Sequence, residues 1–483
     1  MGSFWYDAHM PKPFYITTTL PYVNASPHIG FALEIVQADA IARYRRLQGD
    51  EVFFNTGTDE HGLKIYRKAQ EAGEDPQAYT DKHAQRFDDL KHALNLSYNA
   101  FIRTTDSAHK AAAQEFWKRC EAAGDIYKKN YSVKYCVGCE LEKTESELVD
   151  GKCPLHPIAA LETLDEENYF FRFSKYQEPL LKLYESQKDF VLPPHRLKEI
   201  TEFAKSGLED FSVSRLREKM PWGVPVPGDD DHVMYVWFDA LVNYISTLGW
   251  PADEEKFKKF WPGVQIAGKD NLRQQASMWQ AMLLSAGLPN SKQILIHGFI
   301  TSEGKKMSKS TGNVVDPFAL IEQYGTDAVR YYLLAELSPF EDGDFTMEKF
   351  EQRYNGDLAN GLGNVVSRVS ALLEKDAIAI SIAPGSDQKL TGAMAKAMEA
   401  YRFNEALAVL WRELARVDEA LAESKPWEME SRDEKKAVLE PASQRILNVA
   451  VLLQPFLPAA AESIVAQFSA GQVKKAAALF PRK

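Results

Sequence analysis

The sequence predicts an α/β protein in which a doubly wound parallel sheet carries a cysteine-rich insertion and is followed by an α-helical bundle. Three observations support this fold class. Short β-rich stretches alternate with stretches of helical periodicity through much of the chain. Two turns of the form C-x-x-[CH] interrupt that alternation. From Met347 to the end, glycine and proline thin out and helical periodicity dominates, which predicts a helix bundle.

The composition excludes several classes of protein. The 483 residues are 45% hydrophobic and 26% charged, which is ordinary for a globular protein. The chain has no secretory signal and lacks the apolar run of about 18 residues that spans a bilayer, so we expect a cytoplasmic protein without a membrane partner. A net charge of −11 argues against a protein that coats nucleic acid, and we expect no DNA partner, although local basic patches can still contact one RNA.

The first strand and helix predict a phosphate site. The β-rich stretch 14–19 predicts the strand, and Pro27 predicts the start of a helix that continues to Leu47. His28-Ile29-Gly30 then lies at the strand-to-helix junction, where free N–H groups and the helix dipole favour a phosphate, and Gly30 lets it approach the backbone. A lone histidine at such a place is more often a helix cap or a surface residue.

The motif Lys306-Met307-Ser308-Lys309-Ser310 predicts a loop that binds polyphosphate. The stretch 293–296 ahead of it predicts a buried strand, and Gly304 and Gly312 loosen the chain on either side. Two ammonium groups three residues apart can close over a polyphosphate, because lysine carries a mobile charge on a flexible stem. For an arbitrary pair of lysines, the alternative is a solvated basic loop.

In order and spacing, the two motifs resemble the signatures of the class I aminoacyl-tRNA synthetases, and the stretch 56–62 is similar to that of the methionyl-tRNA synthetase family. The resemblance implies a Rossmann-like ATP-binding domain in which His28, Lys306 and Lys309 are catalytic. The ATP-binding residues that it implies are His28, Gly30, Phe31, Asp270, His297, Lys306, Lys309 and Ser310.

Asp270 and Phe31 differ in how well they match the family. Asp270 follows a predicted buried strand at 264–267, and the family uses the matching aspartate on the ribose hydroxyls of ATP. Phe31 stands where the family has a second histidine that helps to bind the phosphates. We therefore interpret Phe31 as a variant of an active enzyme, in which His28 and the two lysines remain.

The cysteine spacing predicts a zinc site. Cys136 and Cys139 form one turn and Cys153 and His156 form a second, and Cys153 stands 14 positions after Cys139. Three thiolates and one imidazole complete a tetrahedral Zn²⁺ site, which is structural because the protein fills all four positions. Free buried cysteines are the alternative. Cys120 is left over on a predicted helix and is expected in the core.

The family resemblance also implies an amino-acid pocket. Asp59 follows a predicted strand and could bind an ammonium group, or else serve as a turn or cap residue. We also predict a strand at 233–238 and a helix from Asp239, around residues that would otherwise be interpreted as core. Gln275 replaces a histidine that the family places beside the methionine side chain. The implied methionine-binding residues are Leu20, Tyr22, Asp59, Trp237, Ala240, Leu241, Tyr244, Gln275 and Trp279.

The helical region resembles the anticodon-binding domain of the family. Asn364 and Arg368 match its anticodon-reading helix, and Trp427 matches a tryptophan that stacks on an unpaired base. On composition alone, Asn364 and Arg368 would be solvated and Trp427 would be core. Because the chain ends at Lys483 without the extra module that makes some relatives dimers, we expect a monomer.

The resemblance implies a methionine–tRNA ligase that uses ATP with Mg²⁺, although no Mg²⁺ ligand is identifiable. The alternatives are a class I synthetase for another apolar amino acid, or a non-catalytic tRNA-binding relative. The length predicts about three domains. The predicted divisions are 11–116 and 223–298 for the halves of the catalytic domain, 117–222 for the insertion with its zinc knuckle at about 131–160, 299–350 for the lysine loop and a stem-contact region, and 351–483 for the anticodon-binding bundle.

Overall fold

The computed structural model describes residues 11–139, 141–143, 147–156, 161–307, 313–385 and 387–483. In these residues, sixteen strands form four sheets. They are β1 (Pro13–Thr17), β2 (Glu51–Thr58), β3 (Ala100–Arg103), β4 (Ile126–Cys136), β5 (Leu141–Lys143), β6 (Glu162–Phe171), β7 (Val191–Leu192), β8 (Phe211–Ser212), β9 (Ser214–Leu216), β10 (Pro225–Val226), β11 (Asp229–Met234), β12 (Val264–Gly268), β13 (Gln293–His297), β14 (Ile300–Ser302), β15 (Lys305–Lys306) and β16 (Gly343–Phe345).

Nineteen α-helices accompany these strands within the described ranges. They are α1 (Ile29–Leu47), α2 (Leu63–Ala72), α3 (Pro76–Asp88), α4 (Leu90–Ala93), α5 (Ser107–Ala122), α6 (Gln177–Ser186), α7 (Pro194–Lys205), α8 (Val236–Ala240), α9 (Asn243–Ser246), α10 (Glu254–Phe260), α11 (Trp279–Ser285), α12 (Pro317–Tyr324), α13 (Thr326–Ala335), α14 (Met347–Arg353), α15 (Asn364–Lys375), α16 (Gln388–Glu399), α17 (Phe403–Ser424), α18 (Arg432–Leu453) and α19 (Pro458–Phe468). Two π-helical segments, Gln274–Met278 and Tyr354–Gly363, lead into α11 and α15.

The main sheet is parallel, with the strand order β3-β2-β1-β12-β13-β7. Every residue of β12 is buried, as expected for a parallel strand that is covered on both faces. The order reverses between β1 and β12, and ligands of such sheets bind at the carboxyl ends of the strands on either side of that point. The predicted doubly wound fold is therefore confirmed.

The insertion forms its own antiparallel sheet in the order β5-β4-β6-β8, and β4 and β6 pair along ten residues from Ile126 to Tyr135. Two elements do not follow the predicted division of the insertion at 117–222. Helix α5 runs through the predicted boundary after residue 116, and β7 returns to the main sheet beside β13. A two-residue strand of this kind carries no periodicity that the sequence could reveal.

The C-terminal helices form the predicted bundle. Helices α17 and α18 each span 22 residues and pack against each other, with α16 and α19 on either side. One continuous apolar core joins this bundle to α1 and α13 of the catalytic domain. No helix in the described ranges is both long and apolar enough to cross a bilayer.

The predicted strand at 233–238 is wrong in its second half. Strand β11 ends at Met234, and α8 begins at Val236 instead of at Asp239. The N–H groups of Phe238 and Asp239 both donate to the Tyr235 carbonyl, which closes the first helical turn. The β-branched and aromatic residues here are typical of a strand, but their burial in the core around α5 decides the backbone conformation.

Candidate active site and metal centre

Helix α1 begins at Ile29, two residues later than Pro27 predicts, and His28 is its N-cap. The Nδ1 atom of His28 accepts a hydrogen bond from the Gly30 N–H at 3.0 Å. An accepting Nδ1 requires the neutral ring with its proton on Nε2, which leaves the Nε2–H as a donor. A Cβ atom on residue 30 would lie 2.8 Å from the His28 ring, so any larger residue would displace the ring from this capping position.

Phe31, half-buried, packs against apolar neighbours. Its ring packs edge-on against Phe87, with a centroid separation of 5.2 Å, and lies against the small apolar cluster around Val23 and Ile65. Its backbone N–H donates to the His28 carbonyl. The side chain of Phe31 therefore belongs to the hydrophobic packing beneath α1, and its implied contact with ATP stays a prediction.

A buried ion pair, which the sequence did not reveal, joins α1 to β13. The Nε2 atom of His297 lies 2.8 Å from Glu34 Oε2, and its Nδ1 lies 2.7 Å from the Gly298 carbonyl oxygen. Both partners are acceptors, so both ring nitrogens donate and the imidazole is cationic. Burial lowers the pKa of His297, but the hydrogen bond and charge of Glu34 outweigh it and raise that pKa above 6.5. Thr19 fixes the other oxygen of Glu34 through its N–H and its hydroxyl.

Asp270 lies in a short 3₁₀ turn directly after β12. The position that a Cβ atom would take at Gly268 is 2.9 Å from Asp270 Oδ1 and 3.7 Å from the His297 ring. The absence of a side chain at Gly268 therefore leaves room for Asp270 and His297 at the carboxyl ends of β12 and β13. This is the edge at which a doubly wound sheet binds the ribose of a nucleotide.

The lysine loop starts from a hairpin beside the N-terminus of α1. Strands β14 and β15 pair across Glu303 and Gly304, which both have positive φ, as a type I′ turn requires. Ile300 lies 3.6 Å from the Cβ position of Gly30, and after the loop the Val315 carbonyl accepts from the Ile29 N–H. Both ends of the loop thus flank the predicted phosphate site. Ser308, Lys309 and Ser310, and the side chain of Lys306, lie outside the described residues.

The residues implied for methionine binding form two groups. In the first, Tyr22 pairs with Asp59 through a parallel bridge, and its ring lies 6.5 Å from that of Trp237 in an edge-on geometry. The Asp59 side chain is 3% exposed, so it would meet a ligand ammonium group largely away from bulk water. Leu20, half-buried, lies two residues before Tyr22.

The second group surrounds Tyr244. The Gln275 side-chain amide donates to the Tyr244 hydroxyl at 2.7 Å, and the Trp279 ring is 5.9 Å from the Tyr244 ring. Ala240 and Leu241, both buried, lie on the short stretch of chain between Trp237 and Tyr244. Gln275 is therefore linked to the predicted pocket through the Tyr244 hydroxyl. Gln265 holds it from behind by a longer contact of 3.4 Å.

Asp239, fully buried on α8, joins three elements of the fold. One oxygen of its carboxylate lies 2.7 Å from His61 Nδ1, and the other lies 2.9 Å from His109 Nε2. Burial raises the pKa of Asp239, but the charge of His61 and the hydrogen bond of His109 outweigh it and lower that pKa to about 2. Sequence reasoning missed this network, although His61 stands only two residues after Asp59.

The two cysteine turns come together as one cluster. The ligand atoms of Cys136, Cys139, Cys153 and His156 all lie within 4.8 Å of one another. Cys139 Sγ is 3.5 Å from Cys153 Sγ and 3.1 Å from His156 Nδ1. Tetrahedral zinc with such ligands separates them by about 3.5 to 3.8 Å, so the donor set fits Zn²⁺ with only small adjustment. Cys120 is apart from this cluster, buried in the core as predicted.

The three residues predicted to read the anticodon lie in the helical region, and two of them, Arg368 and Trp427, are in contact. Asn364 and Arg368 lie one turn apart on α15, and the Arg368 guanidinium is 5.3 Å from the centre of the Trp427 ring. Asp418 holds that guanidinium through a 2.9 Å ion pair. Trp427 is 43% exposed, which excludes the core position that composition alone suggested.

The capped helix and the lysine hairpin meet at the switch point of the parallel sheet, and Asp270 and His297 lie at the carboxyl ends of the neighbouring strands. Together with the cysteine-rich insertion and the helical bundle, this arrangement is that of a class I aminoacyl-tRNA synthetase. The family model described as tRNA synthetases class I (M) matches residues 14–160 and 158–370. The chain therefore belongs to this family. The similar proteins described next are methionine–tRNA ligases.

The relatives and the structure described here match from 74% to 98% of this chain. The methionine–tRNA ligase of Mesorhizobium japonicum is 43% identical over 470 residues, which cover 94% of this chain and 91% of that protein. The ligase of Thermosynechococcus vestitus is 50% identical over 365 residues, which cover 74% of this chain and 69% of that protein. Mycobacterium tuberculosis methionyl-tRNA synthetase in complex with methionyl-adenylate superimposes with a TM-score of 0.89 at 38% identity, and 98% of each chain is covered.

Proposed function

We propose that the chain is a methionine–tRNA ligase. It activates methionine with ATP to methionyl-adenylate and pyrophosphate, and it then transfers the methionyl group to the 3′ end of tRNA(Met). The observation that carries this proposal is the 43% identity to a methionine–tRNA ligase along 94% of the chain. The similarity to a structure that holds methionyl-adenylate supports the first step.

Activation forms a bond between the methionine carboxylate and the α-phosphorus of ATP, and it breaks the bond from that phosphorus to pyrophosphate. Catalysis then consists of positioning and charge stabilisation. We assign the Nε2–H of His28 to the phosphates, because Nδ1 already accepts from Gly30. Lys306 and Lys309 would neutralise the departing pyrophosphate. Mg²⁺ would supply further positive charge on the phosphates, as in phosphoryl chemistry generally.

For the nucleoside and the amino acid, the assignments follow the geometry of the sheet edge. Asp270 would bind the ribose hydroxyls, and the cationic His297, held by Glu34, would lie beside it. Asp59 would bind the methionine ammonium group, while the thioether would lie among flat rings and aliphatic groups. The walls of that pocket are the two groups of residues around Tyr22 and Tyr244, with Gln275 orienting the Tyr244 hydroxyl.

Zn²⁺ would be held by the three cysteines and His156. It would cross-link the two turns of the insertion and take no part in the reaction. Asn364, Arg368 and Trp427 would bind the anticodon of tRNA(Met). We propose a cytoplasmic monomer without a DNA partner, and we keep the divisions 11–116, 117–222, 223–298, 299–350 and 351–483 as the proposed domains.

The decisive experiment is ATP–pyrophosphate exchange by purified protein, with each of the twenty amino acids separately and without tRNA. We expect exchange with methionine, and its loss in the His28→Ala variant. Exchange with leucine or isoleucine would keep the family and overturn the substrate. If a zinc-loaded, folded protein exchanged with none of them and still bound tRNA, the non-catalytic relative would be correct.

A further inference from the structure

Helix α2 lies between the zinc cluster and the proposed methionine pocket. It begins at Leu63, four residues after Asp59. Two cations one turn apart on this helix contact the insertion. Lys64 Nζ donates to the Gly138 carbonyl at 3.2 Å, and Arg67 makes a bidentate pair with Glu162 at 2.6 and 3.1 Å.

Lys64 differs from Arg67 in a second contact. Its ammonium group is 5.4 Å from the centre of the Tyr22 ring, within the range of a cation–π interaction. The Tyr22 ring in turn meets Trp237 edge-on at 6.5 Å. One ammonium group therefore contacts both the insertion and a wall of the proposed pocket, whereas Arg67 contacts the insertion through its ion pair with Glu162.

The position of the Gly138 carbonyl depends on the metal-binding turns. Gly138 stands between Cys136 and Cys139, and the Cys139 N–H closes that turn by donating to the Cys136 carbonyl at 3.2 Å. A Cβ atom on residue 138 would lie 2.6 Å from the His156 ring, so the two turns are packed against each other here. When the four ligands gather around a metal ion, they therefore fix the carbonyl that Lys64 contacts.

We propose that Lys64 is a positioning residue that couples the zinc cluster to the methionine pocket. The formed cluster presents the Gly138 carbonyl, this carbonyl holds the ammonium group over Tyr22, and the ammonium group fixes the Tyr22 ring against Trp237. The inference rests on the proposed function, because it treats Tyr22 and Trp237 as walls of the pocket. It gives the zinc site a specific effect on methionine binding beyond ordering the insertion.

The test uses Lys64→Met, which keeps the length of the side chain and removes its charge and its donors. We expect the KM for methionine in the exchange assay to rise by about threefold to tenfold, while kcat and the KM for ATP change less than about twofold. The matched control is Arg67→Met, which breaks a contact with the same insertion and keeps the Lys64 ammonium group that contacts Tyr22. In that variant the KM for methionine should stay within about twofold of the wild type.

The second measurement tests the effect of zinc removal on methionine binding and requires no catalytic turnover. The Kd for methionine is titrated by tryptophan fluorescence in wild-type protein and in Lys64→Met, before and after a chelator has removed the zinc. Chelation should weaken methionine binding in the wild type and have little added effect in Lys64→Met, because both changes break the same link.

Three results would overturn the inference. The methionine KM could rise equally in Lys64→Met and Arg67→Met, or it could stay unchanged in Lys64→Met. Alternatively, chelation could weaken methionine binding in Lys64→Met as much as it does in the wild type. Failure of the proposed function is distinguishable, since wild-type protein would then show no exchange with methionine at all.

Discussion

Glu34 and His297 form the charged pair beside the proposed ribose site, and its pH dependence follows from the raised pKa of His297. A group whose pKa is raised by folding stabilises the protein fully below its unfolded pKa. That stabilisation is lost as the pH rises through the folded pKa. The pair therefore contributes most near pH 6 and least in alkaline solution.

For Glu34→Gln we expect a loss of about 1 to 3 kcal/mol in the free energy of unfolding at pH 6, because the buried His297 cation loses its counter-charge. The difference from the wild type should shrink toward pH 9. Urea unfolding at a series of pH values measures it, with the exposed Glu341→Gln as the control. A difference that grows with pH would contradict the assigned charge of His297.

Phe31 stands where the family has a phosphate-binding histidine, yet we expect that restoring the histidine will not improve activity. Because its ring packs on Phe87 under α1, Phe31→His should place a polar ring in an apolar cluster. We expect a loss of about 1 to 2 kcal/mol in stability and no gain in the rate of methionine-dependent exchange. Thermal unfolding and the exchange assay check both parts. A faster exchange rate would show that the side chain reaches the phosphates.

At the scale of elements, Asp239 connects α8, α5 and the segment after β2 through two histidines. Asp239→Asn presents an amide N–H to one of these rings, so the three elements lose a common anchor. We expect a loss of about 3 kcal/mol at pH 7, and a rise in the methionine KM because Trp237 lies on the same helix.

The pKa of Asp239 is lowered on folding, so its contribution is present above an unfolded value near 4 and is lost as the pH falls toward 2. The stability difference between the wild type and Asp239→Asn should therefore narrow between pH 4 and pH 2. Chemical unfolding at pH 7 and pH 3 measures this narrowing, and Asp231→Asn, an exposed change nearby, serves as the control. A difference that is the same at both pH values would contradict the prediction.

At the scale of the whole molecule, one continuous apolar core joins the catalytic sheet to the helical bundle that carries the proposed anticodon surface. Trp427→Ala removes an exposed ring, so we expect an unchanged Tm and unchanged ATP–pyrophosphate exchange. The KM for tRNA in aminoacylation should rise by about tenfold or more, because stacking on a base is lost. Met347→Ala, another exposed apolar change, should affect none of these measurements. Loss of exchange in Trp427→Ala would contradict the assignment.

The sequence by itself determined the fold class, the cysteine turns and the order of the two signature motifs. These depend on local patterns, such as the strand and helix periodicities around β1 and α1, the 14-position spacing of the turns and the amphipathic helices of the bundle. Ligands that come in pairs from short turns can be recognised from local spacing, without knowledge of long-range contacts.

Only the tertiary structure decided which of these residues meet. The partners Glu34 and His297 are 263 positions apart, and His61 and Asp239 are 178 apart. No local pattern encodes such a contact, because it exists only once parallel strands bring distant segments to one edge of the sheet. Tertiary packing also determines where the Phe31 ring lies and why a helical turn follows Met234. In both cases burial against neighbouring elements outweighs the local preference of the sequence.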